Sequence, residues 1–197
     1  VGKSLAICAF IKRAIERFGN LRFMCVAHVK EIIGQNAQAM LNYWPEADVG
    51  LYSAGLKRYD TTAQVIFAGI QSIHNKAALF GHIDCVVCDE AHMVSPNEGT
   101  MWQRFLRELR QINPDLRVTG WSATIYRLGM GLLTEMPLFD KVVVDLTTTD
   151  KINWFVREGY LAPLISKKPS MTIDITNVAM KGGDFEEHSL AEATDED

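Results

Sequence analysis

No run of this sequence stays apolar for the roughly 18 to 20 residues that a membrane-spanning helix needs, which predicts a protein with no membrane partner. The early stretch "KSLAICAFI" has the outline of an export-signal core behind a positive charge, but Lys12 and Arg13 follow at once and no small-residue cleavage site appears. It reads as a helix. Cysteine is scarce: Cys8, Cys25, Cys85 and Cys88 are the only four, each inside an apolar run, which argues against an extracellular disulfide framework and for a reducing, cytoplasmic setting. Cys85-x-x-Cys88 has the spacing of half a zinc site, yet no second Cys or His pair stands at ligand spacing, so buried strand cysteines are the favoured reading. There is no internal repeat. Lysine and arginine are missing from residues 182–197, which hold seven acids, so the net charge of -4 hides a mildly basic body, 20 basic against 17 acidic residues. That balance permits a nucleic-acid partner.

What is present alternates helices and strands. Ile7, Ile11, Ala14, Ile15 and Phe18 recur at helical spacing and predict a helix over Lys3–Phe18, stopped by Gly19-Asn20. Ile33, Ala37, Met40, Leu41 and Trp44 stripe a second helix; Trp102, Phe105, Leu106, Leu109 and Ile112 stripe another, closed by Asn113-Pro114. A short helix over "QSIHNKAALFG" and a last one through Trp154 and Phe155 complete the set. Strands are predicted over 21–29, 63–70, 83–90 and "LRVTGWSAT", more weakly over "ADVGLYS", and over "DKVVVDLT", with a polar loop through Lys57, Arg58 and Asp60. Several strands are unbroken apolar runs, as a strand covered on both faces must be. The fold class is therefore α/β, a mostly parallel sheet between helix layers. Trp102, Phe105 and Trp154 are read as core, since they lie on apolar stripes.

Chemistry concentrates in "IDCVVCDEAHMV", where an apolar strand ends in two adjacent acids. Asp89 and Glu90 then fall in the crevice where open α/β sheets bind ligands. Alone, such a pair also suits a helix cap. At the start, Gly2-Lys3-Ser4 before an apolar helix matches the end of the phosphate-loop pattern G-x-x-x-x-G-K-S/T, of which only Val1 precedes Gly2.

Asp89-Glu90-Ala91-His92 after Gly-Lys-Ser, followed by Ser122-Ala123-Thr124 at a strand exit, resembles the superfamily 2 helicases of the DEAD/DEAH-box type. "VAHVKEIIGQN" looks like their motif Ia, "FAGIQSIHNK" like a later nucleic-acid contact, and "SATIYRLGMG", "GYLAPL" and "GGDFEE" like bacterial and phage RadD-type helicases, although Ile125 replaces the usual proline. The resemblance implies a RecA-like P-loop NTPase domain over 1–165 and a linker over 166–197, carrying a helix in its acidic end, toward a second RecA-like domain. It implies ATP and Mg2+ as cofactors: Gly2, Lys3 and Ser4 on phosphate, Ser4 and Asp89 on Mg2+, Glu90 activating water, and His92 near the γ-phosphate.

It further implies nucleic acid, DNA before RNA, as partner, with Ser122 and Thr124 coupling hydrolysis to grip. His28 and Lys30 are read either as backbone contacts or as a solvated loop, Gln71 and Ser72 either as helix caps or phosphate contacts, and Arg127 as reaching a phosphate or an acidic side chain. The expected activity is that of an ATP-dependent DNA helicase or translocase, with this piece alone inactive. The alternatives are a motor subunit of a restriction or remodelling complex and a non-catalytic nucleic-acid-binding module.

Overall fold

The first helix, α1, spans Lys3–Phe18 in the computed structural model, which describes residues 2–95, 97–127, 131–135 and 138–163, and the backbone alone at 180–181 and 184–185. Strands β1 (Phe23–Ala27), β2 (Val49–Ser53), β3 (Arg58–Tyr59), β4 (Val65–Gly69), β5 (Cys85–Asp89) and β6 (Arg117–Trp121) form one sheet in the order β3-β2-β4-β1-β5-β6. All pairings are parallel except the β2-β3 hairpin. That hairpin is a correction: two polar residues, Arg58 and Tyr59, predicted as loop, complete an edge where no buried face demands an apolar pattern.

Side chains along a strand alternate between faces, and the core divides accordingly. Phe23, Cys25, Ala27, Val65, Phe67, Cys85 and Val87 pack under α1 and α2 (Lys30–Tyr43), against Ile7, Ile11, Ile33, Ala37 and Met40. Met24, Val26, Ile66, Ala68, Val86 and Cys88 face the other way. They meet α3 (Ile70–Ile73), α4 (Ala77–Phe80) and α5 (Met101–Ile112), whose Trp102, Phe105, Leu106 and Leu109 are all buried. The predicted single helix over 71–81 is thus two short ones, interrupted at His74–Lys76. Thr100 caps α5, its hydroxyl accepting the Gln103 N–H at 3.4 Å. All four cysteines are free and buried, and burial raises every thiol, Cys85 to about 11.

Three apolar predictions meet a different environment. "DKVVVDLT" forms no strand; Val143 and Val144 are 82% and 68% exposed. A β-branched run becomes a strand only where its backbone finds a partner, and none pairs with it among the described residues. The aromatic stripe of α6 (Thr149–Arg157) is real, but Trp154 is 42% exposed, its ring edge-on to Phe155 and tilted against Tyr160. Periodicity identifies a face without supplying its cover. Phe18, at the end of α1, is likewise exposed and lies beside the Arg17 guanidinium. The predicted linker, 166–197, lies outside the described residues apart from the backbone pairing of Met180–Lys181 with Asp184–Phe185.

At the N-terminal edge of the sheet, Arg22 donates to four carbonyl oxygens, those of Phe80, His82, Thr61 and Ala63, while its own N–H is held by Asp84 at 2.7 Å. One guanidinium therefore ties α4 to the approaches of β4 and β5. Arg22→Met keeps the apolar stem and strips the donors, and the stability loss expected is about 2 kcal/mol. It should be read as a lower urea midpoint at unchanged slope.

Candidate functional site

The parallel register places the exits of β1, β4, β5 and β6 along one edge of the sheet, and the start of α1 reaches the same edge. Gly2 precedes α1 with φ 78°, a left-handed conformation that suits glycine. It presents Lys3 and Ser4 in the first turn. At the end of β5, Asp89 is 3% exposed, which no isolated carboxylate tolerates. Its charge is met on every side: Lys3 Nζ at 2.8 Å and the Glu90 N–H at 3.0 Å on Oδ1, and the Asn36 amide at 2.8 Å on Oδ2.

Glu90 turns the chain out of the sheet with φ 52° and ψ 55°, a left-handed backbone that costs a non-glycine residue about 1 kcal/mol or more. The turn sends its carboxylate back toward α1, where Lys3 Nζ binds it as well. A single 3₁₀ turn over Ala91–Met93 follows. It holds His92 Nδ1 3.5 Å from Glu90 Oε2 and 2.8 Å from Ser122 Oγ, just beyond β6. Ser122 Oγ also accepts the Thr124 N–H at 3.1 Å and lies 3.4 Å from the Thr124 hydroxyl. A continuous polar path thus runs Lys3, Glu90, His92, Ser122, Thr124.

The residues read as nucleic-acid contacts stand farther along the same edge. His28 and Lys30 follow β1, Gln71 and Ser72 follow β4. Lys30 and Gln71 are exposed. The His28 carbonyl accepts from Gln71 Nε2 at 3.0 Å, and its ring Nε2 accepts the Trp102 indole N–H at 2.7 Å. Because indole only donates, that nitrogen is the acceptor. Ser72 Oγ accepts the Ala54 N–H at 3.0 Å, bracing the exit of β2. Arg127 lies on β7 (Tyr126–Arg127), which pairs with β8 (Gly131–Leu132); its side chain falls outside the described residues.

Sequence reasoning missed Asn36. It is 6% exposed on α2, with Oδ1 accepting the Ser4 hydroxyl at 2.7 Å while Nδ2 serves Asp89. The available signal was a polar residue on the buried stripe between Ile33 and Met40. The donor set fits a hard divalent cation with phosphates: the Asp89 and Glu90 carboxylates and the Ser4 hydroxyl are all oxygens, and the acidic pair already gathers a cation, the Lys3 ammonium. Among the described residues, no three His, Cys, Asp or Glu side chains gather as a ligand cage.

This sheet order, with a helix start and two acids at one strand edge, defines a RecA-like domain of the helicase type. The UvsW helicase from bacteriophage T4 is similar, with a TM-score of 0.55 at 17% identity over 70% of this chain and 49% of that one. S. cerevisiae Dbp5 bound to RNA and ADP BeF3 is similar at 0.51 and 19%, over 62% of this chain and 34% of that one. At such identities the likeness is one of fold. The chain spans about half the length of the first and a third of the second. Residues 1–127 match the family model of the type III restriction enzyme res subunit, and the chain belongs to that family. Family and fold together put it among the superfamily 2 helicases.

Proposed function

We propose that this chain is the first motor domain of an ATP-dependent DNA helicase or translocase of the RadD type, hydrolysing ATP to move along nucleic acid. The observation that carries the reading is the meeting of Lys3 with Asp89 and Glu90, 86 and 87 positions away in sequence, at the strand edge where ligands bind. Gly2, Lys3 and Ser4 bind the phosphates, the amides at the start of α1 favouring their charge. Ser4 and Asp89 hold Mg2+, which when bound neutralises phosphate charge. Glu90 orients water against the γ-phosphorus and takes its proton as the bond to the ADP oxygen breaks. His92, joined to both Glu90 and Ser122, relays the nucleotide state to Ser122 and Thr124. His28, Lys30, Gln71, Ser72 and Arg127 contact the nucleic-acid backbone.

Catalysis of this kind is positioning and charge neutralisation, so the domain by itself is expected to turn over little ATP. A second reading, the motor subunit of a restriction complex, draws on the family match over 1–127. The test is phosphate release by the full-length protein with Mg2+ alone, with single-stranded DNA and with RNA. DNA-stimulated hydrolysis is expected. Stimulation by RNA only would replace DNA with RNA as the partner, and no hydrolysis under any condition would leave the non-catalytic binding module.

A further inference from the structure

We propose that Asn36 is a positioning residue that sets the two Mg2+-binding oxygens of the nucleotide site, a role that rests on the nucleotide reading above. The side chain bridges Ser4 and Asp89, residues that approach from different elements, α1 and β5. Its orientation is fixed by chemistry. An ionised carboxylate only accepts, so Nδ2 must face Asp89 Oδ2; Oδ1 then faces Ser4 and takes the hydroxyl hydrogen.

Two consequences follow for the site. With its hydrogen committed to Asn36, Ser4 Oγ keeps its lone pairs for a cation. Asp89 has each oxygen assigned, Oδ2 to Asn36 and Oδ1 to Lys3 and the Glu90 N–H, so its plane is set before nucleotide arrives. Asn36 sits on a rigid helix, fixed by Ile33, Ala37 and Met40 in the core beneath it. Nothing apolar substitutes for it: a leucine there leaves a buried carboxylate oxygen and a half-buried hydroxyl unmatched.

The experiment compares wild type and Asn36→Leu in the full-length protein, measuring affinity for mant-ATP with Mg2+ and with EDTA, and Tm without ligand. In the variant the gain in affinity conferred by Mg2+ is expected to shrink about 10- to 100-fold, while affinity in EDTA changes no more than about twofold. An unchanged Mg2+ gain overturns the role. So does equal weakening in both conditions with a lowered Tm, the signature of a structural amide. If wild type binds no mant-ATP in either condition, the nucleotide site itself is refuted and this role goes with it. Should Asn36→Leu fail to fold, Asn36→Ala, which deletes the amide while keeping good helix propensity, is judged by the same readings.

Discussion

On the proposed function, Glu90→Gln is expected to lower nucleic-acid-stimulated ATP turnover by the full-length protein about 10²- to 10⁴-fold, the range general-base removal produces. The substitution conserves size and leaves the left-handed turn at φ 52° to be made by a residue of similar shape. What it removes is charge. Glu90 is held between the Lys3 ammonium and His92 Nδ1, and a neutral amide neither takes a proton from water nor balances Lys3 as well. ATP binding is expected to survive, because Lys3 keeps its contact with Asp89, and Asn36 keeps both Ser4 and Asp89. Single-turnover phosphate release beside equilibrium nucleotide binding separates the two effects. Turnover within a few-fold of wild type would remove Glu90 from the chemistry; loss of binding in step with turnover would make it a structural counter-ion to Lys3.

How much of this was legible in the sequence depended on how local the cause was. Helix α1 was readable to its ends because Gly2 and Gly19 bound it, both with positive φ, and the apolar spacing fills the interval. The acids at the exit of β5 were readable because an apolar run that stops in two carboxylates has few other places to be. Their meeting with Lys3 was not a matter of spacing; only the order of motifs shared with a family suggested it. Asn36 was invisible because a polar residue on an apolar stripe looks like noise until its two partners, 32 and 53 residues away, are in place. The run Val142–Val144 failed for the same reason in reverse: its local preference was clear, but among the described residues no strand pairs with it. His28 shows a third case, a loop histidine whose Nε2 is engaged by a tryptophan from α5, which no local pattern announces.

Gly120 ties the sheet to the site, and Gly120→Val is expected to cost about 3 kcal/mol, toward the upper end for overpacking. The residue lies on β6 opposite Cys88, one position before the pairing of Trp121 with Asp89. A Cβ built there would come within 2.6 Å of Phe139 Cζ and 2.8 Å of the Ala91 Cβ. The two neighbours differ in how they yield. Phe139 is a partly buried ring that can shift outward, whereas Ala91 is held by the 3₁₀ turn between Glu90 and His92. Relief of the first contact should therefore not relieve the second. Adding Phe139→Leu to Gly120→Val, which shortens the ring end, is expected to recover part of the lost stability in urea titrations but little of the ATP turnover, since the turn carrying Glu90 and His92 remains displaced. Recovery of both together would mean that the glycine matters only for packing; full activity in Gly120→Val alone would show that the turn after β5 tolerates movement and that the alignment of Glu90 with Lys3 and His92 is not what sets the rate.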